Sequence, residues 1–252
     1  MKIRLQSDFR DYYDHMFCGS WETPEAVFER FSTGGLSRPD MLAALAAAGL
    51  RVPRHGRVRE LVPQLRADWD DPEFAEQMAG ILEVVVHVDE RAHAGEGKLK
   101  LSWTAALAQH PEAFAVEFLP TVAGPGSVSL RHLRVGRRQF WLRYTSDDDW
   151  RSNCGEGTVE VLCEEFPRPL NEIAHALRSA PLVAVDFLQI SNRLYAIDLN
   201  TAPGLVGTGI EQRLAPAEVL GEINYWFGCG RDCEVGAEPT QLLQAGASQP
   251  AP

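Results

Sequence analysis

PLVAVDFLQISNRLYAIDLNTAPG, residues 181–204, reads as two apolar strands, 182–190 and 194–199, joined at Ser191-Asn192-Arg193. Asn192 is the residue there best suited to a left-handed turn conformation. The chemistry lies in what interrupts the apolar run. With a three-residue loop, Ile190 pairs with Leu194, and counting back sets Asp186 against Asp198, with Asn200 two residues on and on the same face. Directly opposed residues of an antiparallel pair hold their Cβ atoms about 5 Å apart, where like charges repel. A cation between the two carboxylates answers that repulsion, and in a largely buried sheet uncompensated charge is costlier still. Two other readings stay open on pattern alone: the aspartates lie near strand ends and are solvated, or a two-residue loop sends them to opposite faces.

The motif VDFLQ…LYAIDLNTAPG resembles the C-terminal metal-binding hairpin of ATP-grasp enzymes, most of all the RimK and glutathione-synthetase type. The Asn-Thr-x-Pro-Gly ending is typical of the same hairpin. The resemblance implies that Asp186, Asp198 and Asn200 hold Mg²⁺, or Mn²⁺, on the phosphates of ATP. It also implies an α+β fold, with two lobes of mainly antiparallel sheet holding ATP between them.

The chain has 252 residues, 45% of them hydrophobic, enough for a sizeable core in one large or two small lobes. A formal charge of −11 argues against a general nucleic-acid or anionic-membrane surface. No stretch of about 20 apolar residues is present and the first residues are charged throughout, so a cytoplasmic protein is the default. The five cysteines suit a reducing compartment, and Cys229 and Cys233 form an isolated pair without a second pair or a histidine cluster.

From Ser37 a capping serine and an early Pro39 begin a helix with Met41, Leu42, Leu45 and Ala46 on one face, ended by Gly49. The following Leu50-Arg51-Val52-Pro53 resembles the approach to the central region of the ATP-grasp fold. This implies a shortened N-terminal lobe over 1–36, a first ATP-grasp lobe over 37–116, a second over 117–234, and a disordered tail over 235–252. An acidic stretch, 63–78, reads as helical from Asp71 onward. Residues 81–88, ILEVVVHV, form a buried-type strand.

That strand holds the position of the family's first ATP-contacting lysine, for which His87 is the nearest candidate. Read alone, a single histidine on an apolar strand is a core residue. Gly95-Glu96-Gly97-Lys98 falls where a glycine-rich loop covers the phosphates, with Lys98 or Lys100 supplying charge; the plain alternative is a solvated hairpin. Glu117, Phe118 and Leu119 match the hinge that lines the adenine pocket. Residues 128–144 have hairpin form about a Val135-Gly136-Arg137 turn and carry five arginines, a concentration of bidentate donors in an acidic chain. By resemblance Arg131 and Arg143 contact phosphate or substrate, and Asn153, beside Arg151, contacts the transferred phosphate. Asp147, Asp148 and Asp149 read as a solvated turn. A helix at 171–179 leads into the metal hairpin.

The function this implies is ATP-dependent ligation of a carboxylate to an amine through an acyl phosphate. The alternatives are a kinase on the same fold or a non-catalytic nucleotide-binding protein. The expected partners are small-molecule carboxylate and amine substrates, without nucleic acid or membrane; a homo-oligomer is compatible with the sequence.

Overall fold

The computed structural model describes residues 37–67, 81–91, 97–162, 182–200, 203–205 and 207–228. Expectations for 1–36, for a helix from Asp71, for Gly95, for 171–179, for Cys229 and Cys233, and for the tail lie outside those residues.

Helix α1 (Arg38–Ala47) starts as its sequence dictates, with the Ser37 hydroxyl accepting from the Asp40 amide and a proline in the first turn. It stops at Gly49, whose φ of +85° lets the Leu50 and Gly49 amides turn back to Leu45 and Ala46. Strand β1 (His55–Arg57) then runs directly into α2 (Val58–Ala67). Sequence reading places no helix there, yet Val58, Leu61, Val62 and Leu65 form a buried i, i+3, i+4, i+7 stripe. Pro63 lies inside that helix on its exposed side; the stripe outweighs the backbone hydrogen bond that proline cannot make.

Strands β2 (Glu83–His87), β3 (Lys98–Ser102) and β4 (Phe114–Glu117) complete a sheet of order β1-β4-β2-β3, all antiparallel. Helix α3 (Trp103–Gln109), capped by Ser102, covers it together with α2, burying Val84, Val86, Trp103, Ala106 and Ala115. A second antiparallel sheet has the order β7-β6-β5-β8-β9: β5 (Ser127–Val135), β6 (Arg138–Ser146), β7 (Gly157–Val161), β8 (Leu182–Ile190) and β9 (Arg193–Asn200). One of its cores gathers Leu205, Ile210, Leu214 and Val219 from the C-terminal segment, which ends in α4 (Pro216–Gly228). Its other core packs Met41, Leu42 and Leu45 of α1 with Trp141, Val185 and Phe187, and it also takes in Phe114 and Val116 of the first sheet. The two sheets are joined through that core, and the fold is α+β as the sequence indicates.

The β5–β6 turn is two residues, Gly136-Arg137, with Val135 opposite Arg138 and Gly136 at φ +58°. A Cβ on Gly136 would sit 2.6 Å from the Glu222 Cβ and 2.7 Å from its carbonyl oxygen. Gly136→Ala therefore meets both a left-handed backbone and a wall of α4. A loss of about 2–3 kcal/mol is expected, read as a lower midpoint of urea unfolding at unchanged slope.

Candidate functional site

The β8–β9 hairpin turns on two residues, Ser191-Asn192, with Ile190 opposite Arg193; Ser191, not Asn192, takes the positive φ, at 55°. That turn alone would set Asp186 against Ile197. A β-bulge between Asp186 and Phe187 absorbs Ile197 and restores the pair Asp186–Asp198, with Asn200 opposite Ala184. The two carboxylates are thus directly opposed, by a different route from the three-residue loop that the sequence suggested.

Side-chain cations answer the repulsion between them. Arg131, one strand away on β5 and paired in register with Asp186, gives that carboxylate two hydrogen bonds, Nε to Oδ1 at 2.6 Å and Nη2 to Oδ2 at 2.8 Å. Its guanidinium lies 4.7 Å above the Tyr144 ring and donates to the Tyr144 hydroxyl at 3.2 Å. Burial disfavours charge on Arg131, but Asp186 outweighs burial and raises its pKa. Arg38, in the first turn of α1 and 6% exposed, donates from Nη1 to Asp198 Oδ1 at 2.8 Å. Burial pushes the Asp198 carboxyl up, yet Arg38, Lys98 and Arg131 hold it below the usual range. Burial, then Arg38, push Lys98 down from its ordinary value, against Asp198 and Asp186.

His87 ends β2 opposite Lys98 of β3. Burial first, then Arg38 and Lys98, lower its pKa to about 3, so it is neutral at physiological pH and tilts against Phe114 at 6.0 Å. Arg38, Lys98 and Arg131 are thus gathered about two carboxylates, a set of nitrogen donors that suits a polyanion.

These groups line a cavity of about 740 Å³ between the two sheets. Its wall also contains the apolar Leu82, Val85, Phe118, Leu119 and Ile197, and Trp150 meets Phe118 edge-on at 6.2 Å. Lys100 Nζ lies there, 4.7 Å above the Phe118 ring and 3.3 Å from Glu83. Glu117 is held by Arg54, whose guanidinium grips both carboxylate oxygens and whose carbonyl accepts the Glu117 amide.

The structure brings His87, Lys98, Lys100, Glu117, Phe118, Leu119, Arg131, Asn153, Asp186 and Asp198 to this cavity. Gly97, beside Lys98, is not among the lining residues; it takes φ +64°, and its carbonyl accepts from the Val88 amide. Arg143 is not brought to the cavity either. It pairs in register with Leu130 and Glu160, and its guanidinium is exposed, 3.2 Å from Glu160. The reason is the parity of the β5–β6 turn: three residues would put 143 opposite 129, on the face of Arg131, whereas the two-residue turn puts Leu142 there. Of the three aspartates in the turn, Asp149 is bound by Arg151 and Asp148 accepts from the Ser146 hydroxyl and Glu156 amide, so two of them build the loop.

Arg38 and Tyr144 are the residues that sequence reading missed. Arg38 had a usable signal: a cation in a helix's first turn opposes the helix dipole, which marks it as held there by something acidic.

Asp186 and Asp198 line the cavity with carboxylate oxygens, the hard donors that Mg²⁺ or Mn²⁺ prefers, whereas Asn200, opposite Ala184, is not among the lining residues. Among the described residues no group of three His, Cys, Asp or Glu side chains could hold a metal by itself. Nor, among them, is any helix long and apolar enough to cross a membrane.

No family model and no curated protein matches the chain. Solved structures do resemble it. A D-alanine–D-alanine ligase from Bacillus anthracis is 13% identical over 77% of this chain and 68% of its own, with a TM-score of 0.48. A RimK domain ATP-grasp protein from Sphaerobacter thermophilus DSM 20745 is 16% identical over 81% and 69%, at 0.47. A phosphoribosylamine–glycine ligase from Thermotoga maritima is 15% identical over 79% and 55%, at 0.46.

Proposed function

We propose that this chain is an ATP-grasp enzyme, an ATP- and Mg²⁺-dependent ligase joining a small carboxylate to an amine. The observation that carries the reading is the mixed wall of the cavity: apolar and aromatic side chains such as Phe118, Leu119 and Trp150, together with Arg38, Lys98 and Arg131 around an opposed pair of aspartates. A nucleoside triphosphate, an aromatic base joined to a polyanion, suits that mixture, and the volume lies within the usual range for small-molecule sites.

In this reading the base lies against Phe118 and Leu119, and the triphosphate runs toward Arg38, Lys98 and Arg131. The substrate carboxylate attacks the γ-phosphorus; the bond to the β,γ-bridging oxygen breaks and ADP leaves with that electron pair. The amine then attacks the acyl carbon, phosphate departs, and one proton is lost from the nitrogen. Arg131, held over the Tyr144 ring, and the neighbouring Lys98 stabilise charge on the transferring phosphoryl group. Neutral His87 adds no charge and leaves the phosphates to the cations. A divalent ion on Asp186 and Asp198 would supply further neutralisation of the phosphate oxygens.

Calorimetric titration with a non-hydrolysable ATP analogue tests this. Wild type is expected to bind more tightly with Mg²⁺ than without. Asp198→Ala is expected to abolish that increment, a loss of about tenfold or more in affinity, while metal-free binding persists on the cations. No binding under any condition would sink the proposal; binding of the analogue, and release of ADP from ATP itself only in the presence of an acid and an amine, would fix the reaction class.

A further inference from the structure

Asp186 accepts both of its hydrogen bonds from one guanidinium, in a bidentate fork that uses Oδ1 and Oδ2 together. Asp198 accepts at Oδ1 from a second arginine, brought in by a different element, α1. Arg38 is further tied by its own backbone amide to the Glu90 carbonyl beyond β2, and its Nη1 also contacts the Met41 sulfur. The two carboxylates thus each carry a built-in counter-ion, and Lys98 lines the same cavity. A divalent cation brought to the pair meets two guanidiniums and the Lys98 side chain in the same cavity, and three of the four carboxylate oxygens are already engaged. A polyanion meets the reverse: it is attracted to all three, and hydrogen bonds from Arg38 and Arg131 to its oxygens come at the expense of those to Asp198 and Asp186.

We propose that Arg38 and Arg131 act as an internal counter-ion lock on the carboxylate pair. A divalent cation is excluded from Asp186 and Asp198 until a triphosphate draws the guanidiniums away, which makes binding of the two ligands strongly cooperative. The proposal rests on the nucleotide reading above and adds an order to it. Tyr144 keeps Arg131 in the cavity as it exchanges partners, because the ring beneath the guanidinium holds it independently of Asp186. Linkage makes the effect reciprocal: whatever factor the nucleotide contributes to metal affinity, the metal contributes to nucleotide affinity.

The test is Mn²⁺ binding followed by electron paramagnetic resonance of the free ion, with water-proton relaxation to separate protein-bound from nucleotide-bound Mn²⁺. Wild type alone is expected to show no site dependent on Asp198 below about 1 mM, and adding the ATP analogue to create one with at least about a hundredfold gain. Arg38→Met, which unlocks Asp198, is expected to bind Mn²⁺ without nucleotide at least about tenfold more tightly than wild type, and Arg38→Met/Asp198→Asn to lose that gain. Tight Mn²⁺ binding at Asp198 in the wild type alone overturns the lock, and this reading needs no variant to fold. Nucleotide binding in calorimetry alongside such a result would leave the nucleotide reading standing. A gain of Mn²⁺ affinity in Arg38→Met with no nucleotide binding would keep the lock and remove that reading.

Discussion

Arg131→Met is expected to lower the free energy of unfolding by about 3–5 kcal/mol, the cost of leaving a buried carboxylate without its counter-charge. The magnitude follows from burial: the side chains of Arg131 and Asp186 are only 14% and 16% exposed, and two charge-assisted hydrogen bonds join them. Solvent screening, which makes a surface pair such as Arg143–Glu160 nearly worthless, is weak here. Methionine keeps much of the packing over Tyr144, so the loss reports charge rather than a cavity. The double variant Arg131→Met/Asp186→Leu removes both charges and is expected to regain most of the loss. Urea midpoints of wild type, the single variants and the double variant measure the coupling. A double variant as unstable as Arg131→Met alone would show that packing, not charge, dominates at this position.

The second large effect is a pH dependence of stability from His87. Its folded pKa, about 3, lies below the ordinary value of 6.5 for the unfolded chain. Between those two values the unfolded chain binds more protons than the folded one, so stability rises with pH across that window. Above 6.5 both forms are neutral, and the contribution is constant. Across the whole window it amounts to at most about 5 kcal/mol, with a slope near 1.4 kcal/mol per pH unit in its middle. Asp198 acts in the opposite quarter of the scale. Its folded pKa is lowered, so its stabilisation is present above about pH 4 and is lost only as pH falls through the folded value. His87→Gln is therefore expected to flatten the unfolding free energy between pH 6 and 4.5, before most carboxylates titrate. An unchanged slope there would mean that His87 is not the group responsible.

Much of this was legible in the chain because burial and periodicity act locally. The Ser37 cap, the Gly49 stop, the apolar run of β2 and the interrupted run of β8 and β9 each follow from neighbouring residues alone. What sequence could not supply is parity. Both hairpins, at 135–138 and 190–193, turn on two residues where three were expected, and each error moves every later side chain to the other face. In β5–β6 nothing compensates, so Arg143 leaves the site. In β8–β9 the bulge compensates, so Asp198 stays. A bulge has no short-range signature, because it answers to what the partner strands require across the sheet. Arg38 was missed for a related reason: 160 residues separate it from Asp198, and only folding makes them neighbours.

The bulge also divides the β8–β9 ribbon, with both carboxylates on one side of it and the exposed turn on the other. The pairs from Ile190–Arg193 to Phe187–Ala196 lie on the turn side of it, the carboxylates and Asn200 on the other. Ser191 and Asn192 are exposed, and the pairs Ile190–Arg193 and Gln189–Leu194 separate a label or short peptide grafted between them from Leu188, which lines the cavity. That makes this turn the natural attachment point for a reporter of events at Asp186 and Asp198.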